Sequence, residues 1–181
     1  MSFPDKKYKT VVIDPPWPVD FVKRKQRPNQ KSMPYKTISM EEIYNFPIND
    51  YADEDCVLFL WTTQRFLHES FHVLEKWGFK YNSILTWDKN DGMCMFGVRR
   101  RTEFVLFGYR GKRSFFTNGK QIESFFYEKL KRNSEKPRIF YDMLLKTTDE
   151  PRVDIFSRKK HIGFDSFGDQ AEEPHTLENY V

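Results

Sequence analysis

The residues with the clearest chemical content lie near the start of the chain. Asp14-Pro15-Pro16-Trp17 follows Tyr8-Lys9-Thr10-Val11-Val12-Ile13, a β-branched run that reads as a buried strand. Neither proline carries an N–H and both have a fixed φ, so the loop is stiff and its carbonyls point in set directions. One carboxylate, spare carbonyl acceptors and a flat indole suit a planar heterocycle that bears an amino group. The ring would stack on Trp17, and the amino hydrogens would donate to Asp14 Oδ and the Pro15 carbonyl. A plainer role fits the same residues, with Asp14 capping a turn and Trp17 covering an apolar edge.

A second pattern is His68-Glu69-Ser70-Phe71-His72, which fits the zinc-protease signature H-E-x-x-H. On a helical wheel Phe66, Leu67, Ser70, Phe71, Val73, Leu74 and Trp77 share one arc, and both histidines fall on the opposite, charged side. The other histidines, His161 and His175, supply no evident third ligand. A zinc hydrolase is disfavoured, and no metal site is expected.

The elements that must position Asp14 alternate in type. The spacing predicts a helix from Ser39, boxed by Glu42, to about Phe46, then a strand over 56–61. Thr62 and Thr63 are N-cap candidates for a helix that runs to Trp77 and stops at Gly78. Strands follow over about 80–87, 102–109 and 124–127. Pro137 opens a helix to about Lys146, and Arg152 to Ser157 form the last strand. The order predicts an α/β fold, a mostly parallel sheet with helices on both faces. Ligands of such sheets sit beyond the carboxyl ends of the strands. Asp14, Thr62, Asp88, Arg110 and Arg158 each follow an expected strand, so several should share that rim. The basic runs 23–27, 99–101, 110–113 and 158–160 would then surround Asp14, which favours nucleic acid as partner.

Composition sets outer bounds. The 181 residues carry a formal net charge of +4, and 171–181 form an acidic tail, so the body is more basic than the whole. One domain over 1–170 is expected. No apolar run approaches the length of a membrane span, and the N-terminus lacks the apolar core of a secretory signal. Two cysteines make no disulfide framework, and the reducing cytoplasm is the simplest compartment.

Co-linear motifs extend over most of the chain. After Asp14-Pro15-Pro16-Trp17 come Pro34-Tyr35-Lys36-Thr37, Leu58-Phe59-Leu60-Trp61, Lys76-Trp77-Gly78-Phe79 and Trp87-Asp88-Lys89. Glu103-Phe104-Val105-Leu106-Phe107-Gly108, Lys136-Pro137, Asp154-Ile155-Phe156-Ser157-Arg158 and Gly168-Asp169-Gln170 complete the series. In this order they resemble the DPPW-type, permuted β-class adenine-N6 methyltransferases, the family of the messenger-RNA N6-adenosine methyltransferase catalytic subunit. The short chain is most similar to compact prokaryotic or phage members.

The resemblance implies a Rossmann-like fold with permuted motif order and S-adenosylmethionine as cofactor, which needs no G-x-G-x-x-G because it has no pyrophosphate. It implies Asp14, Pro15, Pro16 and Trp17 as the catalytic motif. Asp14, Pro15, Lys136, Arg158, Asp169 and Gln170 become cofactor residues. For the target it implies stacking by Trp17 and Tyr35, and the basic residues Lys23, Arg24, Lys25, Arg99, Arg100 and Arg101 are the candidate nucleic-acid contacts. Glu135 and Lys160 replace histidines of the messenger-RNA enzyme, Asp169 replaces an Asn, and Glu135 is a candidate partner for Lys136. The expected reaction is methyl transfer to N6 of adenine in DNA. The alternatives are an RNA adenosine enzyme or a catalytically silent nucleic-acid-binding subunit. With no separate recognition domain, a homodimer or a partner subunit is a candidate source of further target contacts.

Overall fold

A computed structural model describes residues 6–18, 37–92, 94–112, 121–130 and 135–167. Strand β1 (Tyr8–Ile13) and strand β2 (Ala52–Thr62) pair in parallel, Val12 opposite Phe59. Their apolar residues alternate between two cores. Val11, Ile13, Leu58 and Leu60 face one side; Val12, Val57, Phe59 and Trp61 face the other. Both faces of a central strand are therefore buried, which is why the sequence reads there as an unbroken apolar run.

Helix α1 (Met40–Tyr44) starts at Ser39 as expected, with Ser39 N donating to Glu42 Oε2 at 2.7 Å and Glu42 N to Ser39 Oγ at 3.1 Å. Helix α2 (Leu67–Lys76) packs on the same face and ends at Gly78, whose φ is +80°. Its start differs from the expectation. Neither Thr62 nor Thr63 caps it; residues 63–66 form a turn, and the cap position is Phe66, whose ring is stacked on Trp17. Helix α3 (Arg138–Thr147) follows Pro137 and covers the opposite face through Phe140, Tyr141 and Leu144.

The remaining strands are β3 (Lys80–Asp88), the short pair β4 (Cys94–Met95) and β5 (Val98–Arg99), β6 (Thr102–Arg110), β7 (Phe125–Tyr127), β8 (Arg152–Ile155) and β9 (Asp165–Phe167). The main sheet has the order β7-β3-β6-β2-β1-β8-β9. Four of its pairings are parallel, but β6 lies antiparallel to both β2 and β3. The reversal moves Arg110. It sits opposite Cys56, at the end of the sheet remote from Asp14, whereas the start of β6 lies beside Thr62 and Asp88. The expectation that Arg110 shares the rim of Asp14 is thereby corrected. Strands joined without a crossover helix run antiparallel, and only a hairpin separates β3 from β6. Among the described residues no helix is long and apolar enough to cross a membrane.

Candidate active site

The Asp14 loop is fixed at each of its residues. Asp14 N donates to Ile155 O at 3.3 Å, Trp17 N to Pro15 O at 2.8 Å, and Ile38 N to Pro16 O at 3.1 Å. The Trp17 indole donates to Trp61 O at 3.0 Å. Trp17 is 6% exposed, and its ring lies 5.4 Å from that of Phe66 at 13°. This corrects the expectation that it offers a face to a ligand: the indole anchors the loop to β2 and α2. Among the described residues the Pro15 carbonyl accepts one bond, from Trp17 N, and a carbonyl oxygen has two lone pairs.

Asp14 is the end of a chain of alternating charges. Its Oδ2 lies 3.1 Å from Lys136 Nζ, which lies 3.0 Å from Glu103 Oε2, whose Oε1 is 2.8 Å from Lys89 Nζ. The Lys136 ammonium also sits 4.5 Å from the centre of the Trp61 ring. Side-chain exposure is 13% for Lys136 and 17% for Glu103 but 29% for Asp14, so the chain opens outward at Asp14. Burial and the Glu103 charge push the Asp14 carboxyl up from its ordinary value, against the opposing pull of Lys136 and Arg158. For Glu103 burial also pushes up, but the ammonium groups of Lys136 and Lys89 together outweigh it and hold the group down at about 2. Asp154, on β8, accepts from the Tyr141 hydroxyl at 2.8 Å; burial pushes its carboxyl up to about 7. Burial disfavours the charged form of Lys136, yet Asp14 and Glu103 carry its net shift upward.

Several anticipated residues meet here. Asp14, Pro15 and Lys136 converge, and the Arg158 charge reaches Asp14. Glu135 pairs with Lys159 at 3.4 Å, and the described partners of Lys136 are Asp14 and Glu103, which corrects the pairing anticipated for it. Arg101 grips Asp88 with two bonds of 2.8 and 2.7 Å and so pins the β3–β6 corner. Arg99 is exposed on β5, and Arg100 is half-buried beside it. Lys23, Arg24, Lys25, Tyr35, Asp169 and Gln170 lie outside the described residues. His68 and His72 are exposed on α2, their ring centres 4.9 Å apart.

Lys89 and Glu103 stand within the co-linear motifs, but no local pattern marks them as site residues. Lys89 follows β3 and Glu103 is the second residue of β6, so only the reversed direction of β6 brings them to one corner. The absence of a helical pattern between 88 and 102 was the available signal. A concavity of about 530 Å³ lined by Glu128, Lys129, Leu130, Arg138, Ile139 and Asp142 lies beside the start of α3 and includes none of the four chained residues.

Comparison with known proteins identifies the family. The chain is 27% identical over 187 residues to the type II methyltransferase M.MunI of Mycoplasma sp, covering 92% of this chain and 79% of that protein. It is 24% identical over 185 residues to the human N(6)-adenosine-methyltransferase catalytic subunit METTL3, with 95% of this chain covered but only 30% of METTL3. A 66-residue stretch is 36% identical to the mouse N(6)-adenine-specific methyltransferase METTL4, covering 36% of this chain and 12% of that protein. With residues 8–170 matching the family description MT-A70, from β1 past the last strand, the chain belongs to the MT-A70 family.

Proposed function

We propose that this chain transfers a methyl group from S-adenosylmethionine to N6 of adenine in DNA. The observation that carries the reading is the partly exposed Asp14 carboxylate at the end of β1, 3.1 Å from the half-buried Lys136. The names of the N(6)-adenosine and N(6)-adenine-specific relatives favour adenine N6, the likeness to a type II methyltransferase favours DNA, and the net positive charge favours a nucleic-acid partner. The donor set suits the cofactor: its carboxylate needs cations, which Lys136 and Arg158 offer, and its positive groups need an anion, which Asp14 offers.

When bound, S-adenosylmethionine supplies an electrophilic methyl on a positively charged sulfur. The protein's task is the amine, whose lone pair is delocalised into the ring. Asp14 Oδ and the Pro15 carbonyl accept from the two amino hydrogens, which favours a pyramidal nitrogen with its lone pair aimed at the methyl group. Asp14 stabilises the positive charge that develops on nitrogen and takes the proton that leaves; a carboxyl raised by burial is suited to that. Lys136 fixes the orientation of Asp14, and Lys89 and Glu103 fix Lys136. Positioning and electrostatics supply most of the rate.

The test is transfer of labelled methyl from S-adenosylmethionine to matched DNA and RNA oligonucleotides, single- and double-stranded. Label recovered as N6-methyladenine in DNA, and absent with Asp14→Ala, is the expected result. Label on RNA alone overturns the choice of polymer. No transfer by a chain that binds the cofactor overturns the enzyme reading in favour of a silent subunit.

A further inference from the structure

Between β3 and β6 the chain leaves the sheet as the β4–β5 hairpin, and Phe96 at its tip is 97% exposed. Met95 pairs with Val98, and the two residues between them have positive φ, +51° at Phe96 and +79° at Gly97. Such I′-class turns favour Asn-Gly, because a bulky side chain is strained in the left-handed region. Scattered exposed apolar residues are ordinary. A phenylalanine kept in an unfavourable backbone state, with its ring in water, is a different matter. Val98 beside it is 58% exposed, and Arg99 and Arg100 follow at once.

The root of this hairpin is rigid. A Cβ on Gly92 would lie 2.1 Å from the Arg100 carbonyl oxygen, so only glycine lets the two legs approach this closely. Lys89 N donates to Arg101 O at 3.1 Å, and Arg101 grips Asp88. The next groups are the Lys89–Glu103 pair and, through it, Lys136 and Asp14. The exposed ring is thus levered from the corner that holds the candidate site.

We propose that the β4–β5 hairpin is a wedge for duplex DNA, in which Phe96 enters the base stack beside the extruded adenine while Arg99 and Arg100 hold neighbouring phosphates. The inference rests on the reading of the chain as an adenine methyltransferase acting on DNA. In a duplex N6 is engaged in base pairing, so the base must leave the stack, and an apolar side chain filling the gap offsets the lost stacking. A protein partner fits less well. Stable interfaces bury about 800 Å² on each side, whereas this tip offers one ring and one valine flanked by guanidinium groups that suit phosphates.

The full chain carrying Phe96→Asn or Phe96→Trp tests this. Asparagine tolerates the left-handed backbone, so Phe96→Asn is expected to melt at or above the wild-type temperature, which separates loss of the wedge from misfolding. The first readout is the ratio of methyl-transfer rates on one plasmid DNA, duplex against heat-denatured. The second is permanganate reactivity of thymines in the protein-bound duplex, which reports unstacking without any methyl transfer. Phe96→Asn should lower the ratio by about tenfold or more and remove the reactive thymines, and Phe96→Trp should keep both. An unchanged ratio, an equal fall on both forms of DNA, or a wild type active only on single strands overturns the wedge. So does a wild-type dimer that Phe96→Asn dissociates, since that assigns the tip to a second copy. A wild type that methylates nothing sinks the proposed function alone, and the thymine pattern still decides the wedge.

Discussion

At one end of the sheet Arg110 donates from Nε to Asp53 O at 2.7 Å, from Nη2 to Ala52 O at 2.6 Å and from Nη1 to Asn49 Oδ1, and its guanidinium covers the Phe79 ring. At the other end Lys136 lies between Asp14 and Glu103, and the series ends on a carboxylate that is 29% exposed. Both rims are dense in charge. The first ties a cation to backbone carbonyls and closes a corner, whereas the second leads a half-buried ion chain to its most exposed member, Asp14. Charge density alone does not distinguish them; strand direction and the identity of the partners do.

If that contrast is right, the largest effect belongs to Asp14. Asp14→Asn is expected to lower methyl transfer by about 1000-fold with little change in thermal midpoint, since Lys136 keeps Glu103 as a partner. A near-normal rate in this variant would break the comparison outright. Lys136→Met should act on fold and reaction together, because it leaves two carboxylates near one another in a poorly solvated corner. A loss of about 3 kcal/mol in urea denaturation is expected, with methyl transfer abolished. Arg110→Ala is the counterpart at the opposite rim. It should cost about 2 kcal/mol through unmade bonds to Ala52 and Asp53, while the rate per folded molecule stays at the wild-type value.

Protonation sharpens the same contrast within the chemical rim. Glu103 is held down at about 2 against an ordinary 4.5, so its contribution to stability is complete above 4.5 and is lost as the pH falls towards 2. Asp154, raised to about 7 from 3.8, behaves in the opposite sense: its contribution is complete below 3.8 and is lost as the pH rises through 7. Denaturation midpoints across this range should therefore show Glu103→Gln flattening the acid limb. Asp154→Asn should gain on the wild type by about 1 kcal/mol per pH unit between 3.8 and 7. A wild type and Asp154→Asn that track each other in parallel would refute the buried-acid assignment.

Much of this arrangement was legible in the chain. The β-branched run before Asp14, the Ser39–Glu42 box, the Gly78 stop and the proline before Arg138 each impose a local conformation, and the elements form where those residues place them. Direction was harder to read. Nothing in Thr102 to Arg110 states which way the strand runs; that follows from the missing crossover between β3 and β6, and on it depended the placement of Arg110, Lys89 and Glu103. The role of Trp17 was hidden for another reason. An indole that anchors and an indole that stacks on a ligand share one sequence, and only its partners, Phe66 and the Trp61 carbonyl, separate them.

Trp17 is accordingly the place where the two rims resemble one another, and it yields the smallest expected effect. Although it belongs to the motif proposed to carry the chemistry, its indole does what Arg110 does at the far end: it bonds a backbone carbonyl and lies against an aromatic ring. Trp17→Phe keeps an aromatic ring against Phe66 and removes only the bond to Trp61 O. The expected loss is about 1 kcal/mol, read as a fall of about 3 °C in the thermal midpoint. The KM for DNA should be unchanged and kcat lowered less than tenfold, because the loop that aims Asp14 loosens slightly. The opposite split, a raised KM at unchanged stability, would mean that the indole leaves its place on Phe66 to stack on the target base, and the anchoring role would then be wrong.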